Sequence, residues 1–155
     1  MTSGVAVFDA TPLIAFHEIG QLGLLRELFD QVVVPTLVSR EVAPSLGVLP
    51  RWIVVQRVLS IPTFERSVDA GEIAAIALAL QISAEFVILD DLSGRRVADD
   101  LGLNVTGSLG LLVSAKQHGL IPEVRPLMTA MTDNGLFTTR ALQMRILELA
   151  GEIDL

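Results

Sequence analysis

The chain has 155 residues, 51% of them hydrophobic and 19% charged, a balance that excludes a disordered or low-complexity chain and points to one globular domain spanning residues 1–155. Its formal net charge of −7 argues against a protein that coats nucleic acid, because that task needs a basic surface. Cysteine is absent, so disulfides and thiolate metal sites are excluded, and any metal must be held by oxygen or by His17 and His118.

Val5–Phe8 is a short apolar run ending at Asp9, the pattern of a strand buried on both faces of a parallel sheet. Thr11-Pro12 opens a helix, with Thr11 as its cap and proline in the first turn. A second helix is predicted over 22–29 and a second buried strand over 32–34, closed by Pro35. Thr36 then caps a helix that carries Glu41. Residues 44–50 read as a loop, 52–58 as an extra strand and 62–69 as another loop. From Asp69 an alanine- and isoleucine-rich helix runs to about 82. Ile73, Ile76, Ala77 and Leu80 share one of its faces and the opposite side is nearly as apolar, so it should be central.

Residues 86–89 form the next buried strand, ending at Asp90-Asp91. A helix follows to Leu101 and is stopped by Gly102. A short strand over 103–105 leads into Thr106-Gly107-Ser108, which begins a helix ending near Gly119. A further helix covers 123–132, and Asn134-Gly135 turns the chain. Thr138 caps a last helix with Leu142, Ile146 and Leu149 at helical spacing. Such alternation predicts an α/β fold with a mostly parallel sheet flanked by helices. The segment 73–89 divides into a helix and a strand, so a membrane span is not expected. The first residues do not read as a signal peptide, and a cytoplasmic location is the expectation.

Acidic residues at element ends carry the functional reading. In open parallel sheets the crevice lies beyond the carboxyl ends of the strands, and two predicted strands end directly in aspartate. Glu72, in the first turn of the buried helix, should lie at the same end, and Glu41 could complete the ring. Crowded carboxylates raise one another's pKa values, and cations relieve the repulsion. Mg²⁺ and Mn²⁺ prefer such oxygen ligands and activate bound water. Each acid also has a plainer role. Asp9 could cap the first helix, Asp90-Asp91 the helix from Leu92, and Glu72 could complement a helix dipole. Glu41 could face solvent. Asp99 and Asp100 read as a solvated face, and His17 and His118 as structural or exposed.

Asp9-Ala-Thr-Pro-Leu-Ile-Ala resembles the opening motif of PIN-domain ribonucleases, in particular a subfamily of VapC-like toxins. Asp69-Ala-Gly-Glu72-Ile-Ala-Ala, Ile-Leu-Asp90-Asp91-Leu-Ser-Gly-Arg95 and Val-Thr106-Gly-Ser-Leu-Gly110 match further stretches of that subfamily. Pro35-Thr-Leu-Val-Ser-Arg-Glu41-Val is similar to its second acidic motif. The resemblance spans about residues 5 to 150. It implies a three-layer fold with four or five parallel strands, a Mg²⁺ or Mn²⁺ site and cleavage of single-stranded RNA. Asp9 is then the central ligand, Glu41 and Glu72 the second and third acids, and Asp91 with Asp90 the fourth. The metal ligands expected are Asp9, Glu72, Asp90 and Asp91. A small antitoxin partner and a homodimer follow from the same resemblance, with the stripe of the last helix as one surface for pairing.

This sequence departs from the family at three points. It has glutamate at the third acidic position, a long 44–67 segment and few basic residues. A phosphotransferase of the haloacid-dehalogenase type would need a second aspartate where Thr11 stands, and a response-regulator receiver an acidic pair after the first strand. A degenerate PIN fold acting as a binding module is the non-enzymatic alternative.

Overall fold

A computed structural model describes residues 3–61, 63 and 68–153. In chain order the elements are β1 (Val5–Phe8), α1 (Ala10–Glu18), α2 (Gly23–Leu28), β2 (Gln31–Pro35), α3 (Thr36–Leu46) and β3 (Ile53–Gln56). They continue with α4 (Ala70–Gln81), β4 (Phe86–Ile88), α5 (Leu92–Asp100), β5 (Val105–Thr106), α6 (Ser108–Gln117), α7 (Arg125–Asp133) and α8 (Arg140–Leu149).

The five strands form one sheet in the order β3-β2-β1-β4-β5, and every pairing is parallel. The chain builds outward from β1 through β2 to β3. It then returns through α4 to place β4 on the other side of β1. The switch point of the sheet therefore lies between β1 and β4, where an α/β crevice opens at the strands' carboxyl ends.

Alternation along the strands sorts the core into two layers. Ala6, Phe8, Val32, Val34 and Ile88 face α1, α2, α3, α6, α7 and α8. Val7, Val33, Val87 and Leu89 face α4 and α5. The result is the three-layer α/β architecture expected from the sequence. Ile76 and Leu78 of α4 are fully buried, each contributing roughly 1.5–3 kcal/mol by leaving water. Leu80, assigned above to the buried face, is exposed instead, because the sheet and α5 cover the alanine-rich side of the helix.

Local details differ from expectation at several element ends. Pro35, not Thr36, is the N-cap of α3. That helix continues through Pro44 to Leu46, into the stretch read as a loop. Proline removes a single donor near the helix end, so the last turn survives until Gly47 adopts φ 67°. Thr139 rather than Thr138 caps α8, accepting from the Leu142 N–H at 3.1 Å. The strand β5 is Val105–Thr106, later than the predicted 103–105. Most of the loop predicted over 62–69 lies outside the described residues.

Candidate active site

Asp9 follows β1 directly, and its N–H continues the ladder by donating to Ile88 O at 3.1 Å. The residue occupies the N-cap position of α1, but its side chain makes no capping bond. Thr11 does not supply the cap either. The Asp9 carboxylate is thus left for the crevice, although the residue is only 7% exposed. Gly71, in the first turn of α4, explains how the neighbours come so close. A Cβ there would lie 2.7 and 3.0 Å from the Glu41 carboxylate oxygens and 3.2 Å from Asp9 Oδ1. Two carboxylates from α3 and the β1 end therefore meet over a glycine.

Glu72 divides its two oxygens between two environments. Oε2 accepts from the Asp69 N–H at 3.1 Å, closing a capping box in which Asp69 Oδ1 accepts from the Gly71 N–H at 3.0 Å. Oε1 is buried with no hydrogen-bond partner. It packs 3.0 Å from where a Cβ of Gly94 would stand, so α5 also approaches through a glycine.

The acidic pair after β4 splits. Both oxygens of Asp90 accept from Ser108, one from its N–H at 2.7 Å and the other from its hydroxyl at 2.6 Å. Asp90 thereby caps α6 from a distance, where Gly107 has no side chain to do so. Arg95 approaches the same glycine: a Gly107 Cβ would stand 2.7 Å from Arg95 Nη1 and 2.8 Å from Asp90 Oδ1. Asp91 is exposed and caps α5, accepting from the Ser93 N–H at 2.9 Å.

Burial and mutual repulsion raise the affinity of this cluster for protons. Burial pushes Asp9 up to about 6, against the opposing Ala10 N–H and with help from Glu41, Asp69 and Asp90. Glu72 is pushed up to about 7 by burial and by Asp91, with Asp9 and Asp69 adding to it and the Asp69 N–H opposing. Glu41 is raised by burial and by Asp69. Burial also raises Asp90, although Ser108 and Arg95 oppose it. A fold that holds these acids together carries an electrostatic cost that a cation relieves.

All donors here are oxygens, and one of them is buried and unsatisfied, so in kind they fit a hard divalent cation. In spacing they stand open: among the described residues no three acidic or histidine side chains are arranged around one ion. The members of the expected set, Asp9, Glu72, Asp90 and Asp91, thus repel one another pairwise, Asp9 with Asp90 and Glu72 with Asp9 and Asp91, without closing on a point. One helix cap at Asp91, one capping box at Asp69 and Glu72 and one tertiary cap at Asp90 hold these carboxylates apart.

Sequence reasoning missed Asp69 as a further charge at the site and Ser108 and Arg95 as the partners of Asp90. Gly71 was the legible clue, because glycine inside a helix costs about 1 kcal/mol and signals close approach. His17 and His118 are exposed, as expected, and His118 Nδ1 bonds Ser114 O at 2.7 Å.

An all-parallel sheet with acids gathered at its switch point defines a PIN-like α/β domain. A family model described as a PIN domain (DUF3368) matches residues 5–152, and the chain belongs to that family. A PilT N-terminus domain protein from the hyperthermophilic archaeon Sulfolobus solfataricus has a similar fold, with 19% identity and a TM-score of 0.52. That similarity covers 72% of this chain and 92% of the archaeal one. No curated protein sequence matches. PIN domains are generally nucleases that use divalent metals. Among the described residues no helix is long and apolar enough to cross a membrane.

Proposed function

We propose that the protein is a Mg²⁺- or Mn²⁺-dependent endoribonuclease that cleaves single-stranded RNA, acting as the toxin of a toxin–antitoxin pair. The observation that carries this reading is the meeting of Asp9 and Glu41 over Gly71 at the carboxyl end of β1, with the unpaired oxygen of Glu72 buried against Gly94 in the next helix. Asp9, Glu41 and Glu72 would hold the metal, with Asp91 at the rim. Bound there, the cation supplies activated water and stabilises charge on phosphorus. Asp9 is fixed by the sheet itself, so it sets the position of the ligand group. The Ser108 bonds hold Asp90 and anchor the start of α6 beside the crevice. Arg95, on the same side, offers a guanidinium to a phosphate oxygen.

Replacing Asp9 by Asn keeps the shape and removes the charge. Mn²⁺-dependent cleavage of a labelled single-stranded RNA should fall by about a hundredfold or more. Cleavage equal to that of the unaltered protein would remove the proposal. A second reading, a degenerate PIN fold that binds without cleaving, is favoured by the open spacing of the carboxylates. RNA binding and Mn²⁺ binding without any turnover would support it.

The partner side of the proposal, a small antitoxin or a second copy, has its apolar surface at the β3 edge. Val55 in β3 is exposed, as are Val48, Leu59 and Ile61 in the segments before and after the strand, and an edge strand offers unpaired backbone groups. Of the α8 stripe, Ile146 is buried within the chain while Leu142 and Leu149 are exposed, so the stripe offers a second apolar surface. Sedimentation of the unaltered protein and of a Val55→Lys variant tests this. The unaltered protein should associate and the variant should not; a monomer throughout would contradict it.

A further inference from the structure

A second feature adjoins the carboxylates. A cavity of about 290 Å³ runs from Asp90 and Gly107 to α8, near the lower limit for small-ligand pockets, roughly 300 Å³. Arg95 and Arg145 line it together with Phe137 and Leu142. Phe137, just before α8, is 88% exposed, an arrangement that leaves a ring face in water with nothing in the fold to gain from it. Arg145 pairs with Glu148 at 3.5 Å across one helical turn, with side chains 65% and 43% exposed, a contact that is easily given up. In a chain with 11 basic and 18 acidic residues, two arginines lining one cleft with an exposed ring and with Asp90 form a local match to a polyanion carrying aromatic bases. Concavity and mixed polarity set this cleft apart from the apolar β3 edge.

We propose that this cleft is a subsite for one unpaired base of the RNA strand, with Phe137 as the stacking surface and Arg145 holding a neighbouring phosphate. The proposal rests on the reading of the crevice as a phosphodiester site, because Asp90 lines both. Single-strand readers combine these parts: an aromatic face that accepts any base and a guanidinium that follows the backbone. Phe137 then positions the strand and selects unpaired over paired RNA, since a base in a duplex cannot reach the ring.

The test is binding of a fluorescent single-stranded RNA oligonucleotide, read by anisotropy in EDTA, where metal-dependent cleavage does not compete. Phe137→Ala should weaken binding about tenfold or more, while Phe137→Trp should preserve it and show fluorescence quenching by RNA beyond that of Trp52. Arg145→Ala should weaken binding and lower the salt dependence by about one phosphate contact. Equal binding by Phe137→Ala and the unaltered protein would overturn the proposal, as would no RNA binding at all. A dimer that dissociates on Phe137→Ala substitution, with RNA affinity unchanged, would assign the cleft to a protein contact and overturn it too. Binding as described with no cleavage in Mn²⁺ would leave the subsite standing and remove only the nuclease reading.

Discussion

Glu72 shows how one side chain serves two ends. Its Oε2 completes the capping box of α4 while its Oε1 is left buried and unpaired. An unsatisfied buried acceptor costs about 1–3 kcal/mol, and a proton or a cation on that oxygen removes the cost. A pH dependence follows. Asp9 and Glu72 stay protonated in the folded chain up to about 6 and about 7, against ordinary values of 3.8 and 4.5. Between about pH 4 and pH 7 the folded state therefore binds more protons than the unfolded state, and stability falls as pH rises through that window. Each group contributes on the order of 2–3 kcal/mol, not additively because the acids interact. Glu41 and Asp90 are shifted the same way. Glu152, lowered despite its burial by the Val124 and Arg125 N–H groups and Lys116, acts in the opposite sense, and only at the acid end. Denaturant unfolding in EDTA should give a more stable protein at pH 5 than at pH 8; equal stability, or greater stability at pH 8, would contradict this account.

At the scale of elements, helix starts decide where the acids stand. Two successive acids after β4 exceed what one cap needs, and on that ground the pair reads as functional from sequence. The structure resolves the excess differently: Asp91 caps α5, and Asp90 caps α6, eighteen residues further on. Local spacing reveals the first of these caps and cannot reveal the second, which exists only once β4 and β5 pair. Strands ending in aspartate were legible for the same reason in reverse, since burial on both faces leaves an unmistakable apolar run. The extension of α3 through Pro44 was not legible, because proline at a helix end and proline in a loop look alike along the chain. Ser108 binds both oxygens of Asp90 and is fully buried. Ser108→Ala should destabilise the protein by about 1–3 kcal/mol through the orphaned Asp90 oxygen. A midpoint of guanidinium unfolding that does not move would show that water replaces the hydroxyl and that the cap is dispensable.

For the molecule as a whole, topology brings together what sequence separates. The return of the chain through α4 sets β4 beside β1, so that Asp9 and Asp90 share a switch point although the chain between them builds three of the five strands. Three glycines, Gly71, Gly94 and Gly107, let helices and loops close on the carboxylates. Negative charge is concentrated where the fold tolerates it least, and under the proposed function a divalent cation reconciles the two. The direct measurement is calorimetric titration of the metal-free protein with Mn²⁺ at pH 6.5, alongside the Asp9→Asn variant. Saturable binding with release of protons from the raised carboxyl groups, lost in the variant, is the predicted result. Heats no larger than dilution for the unaltered protein would mean that these acids hold no metal, and the nuclease reading would fall with them.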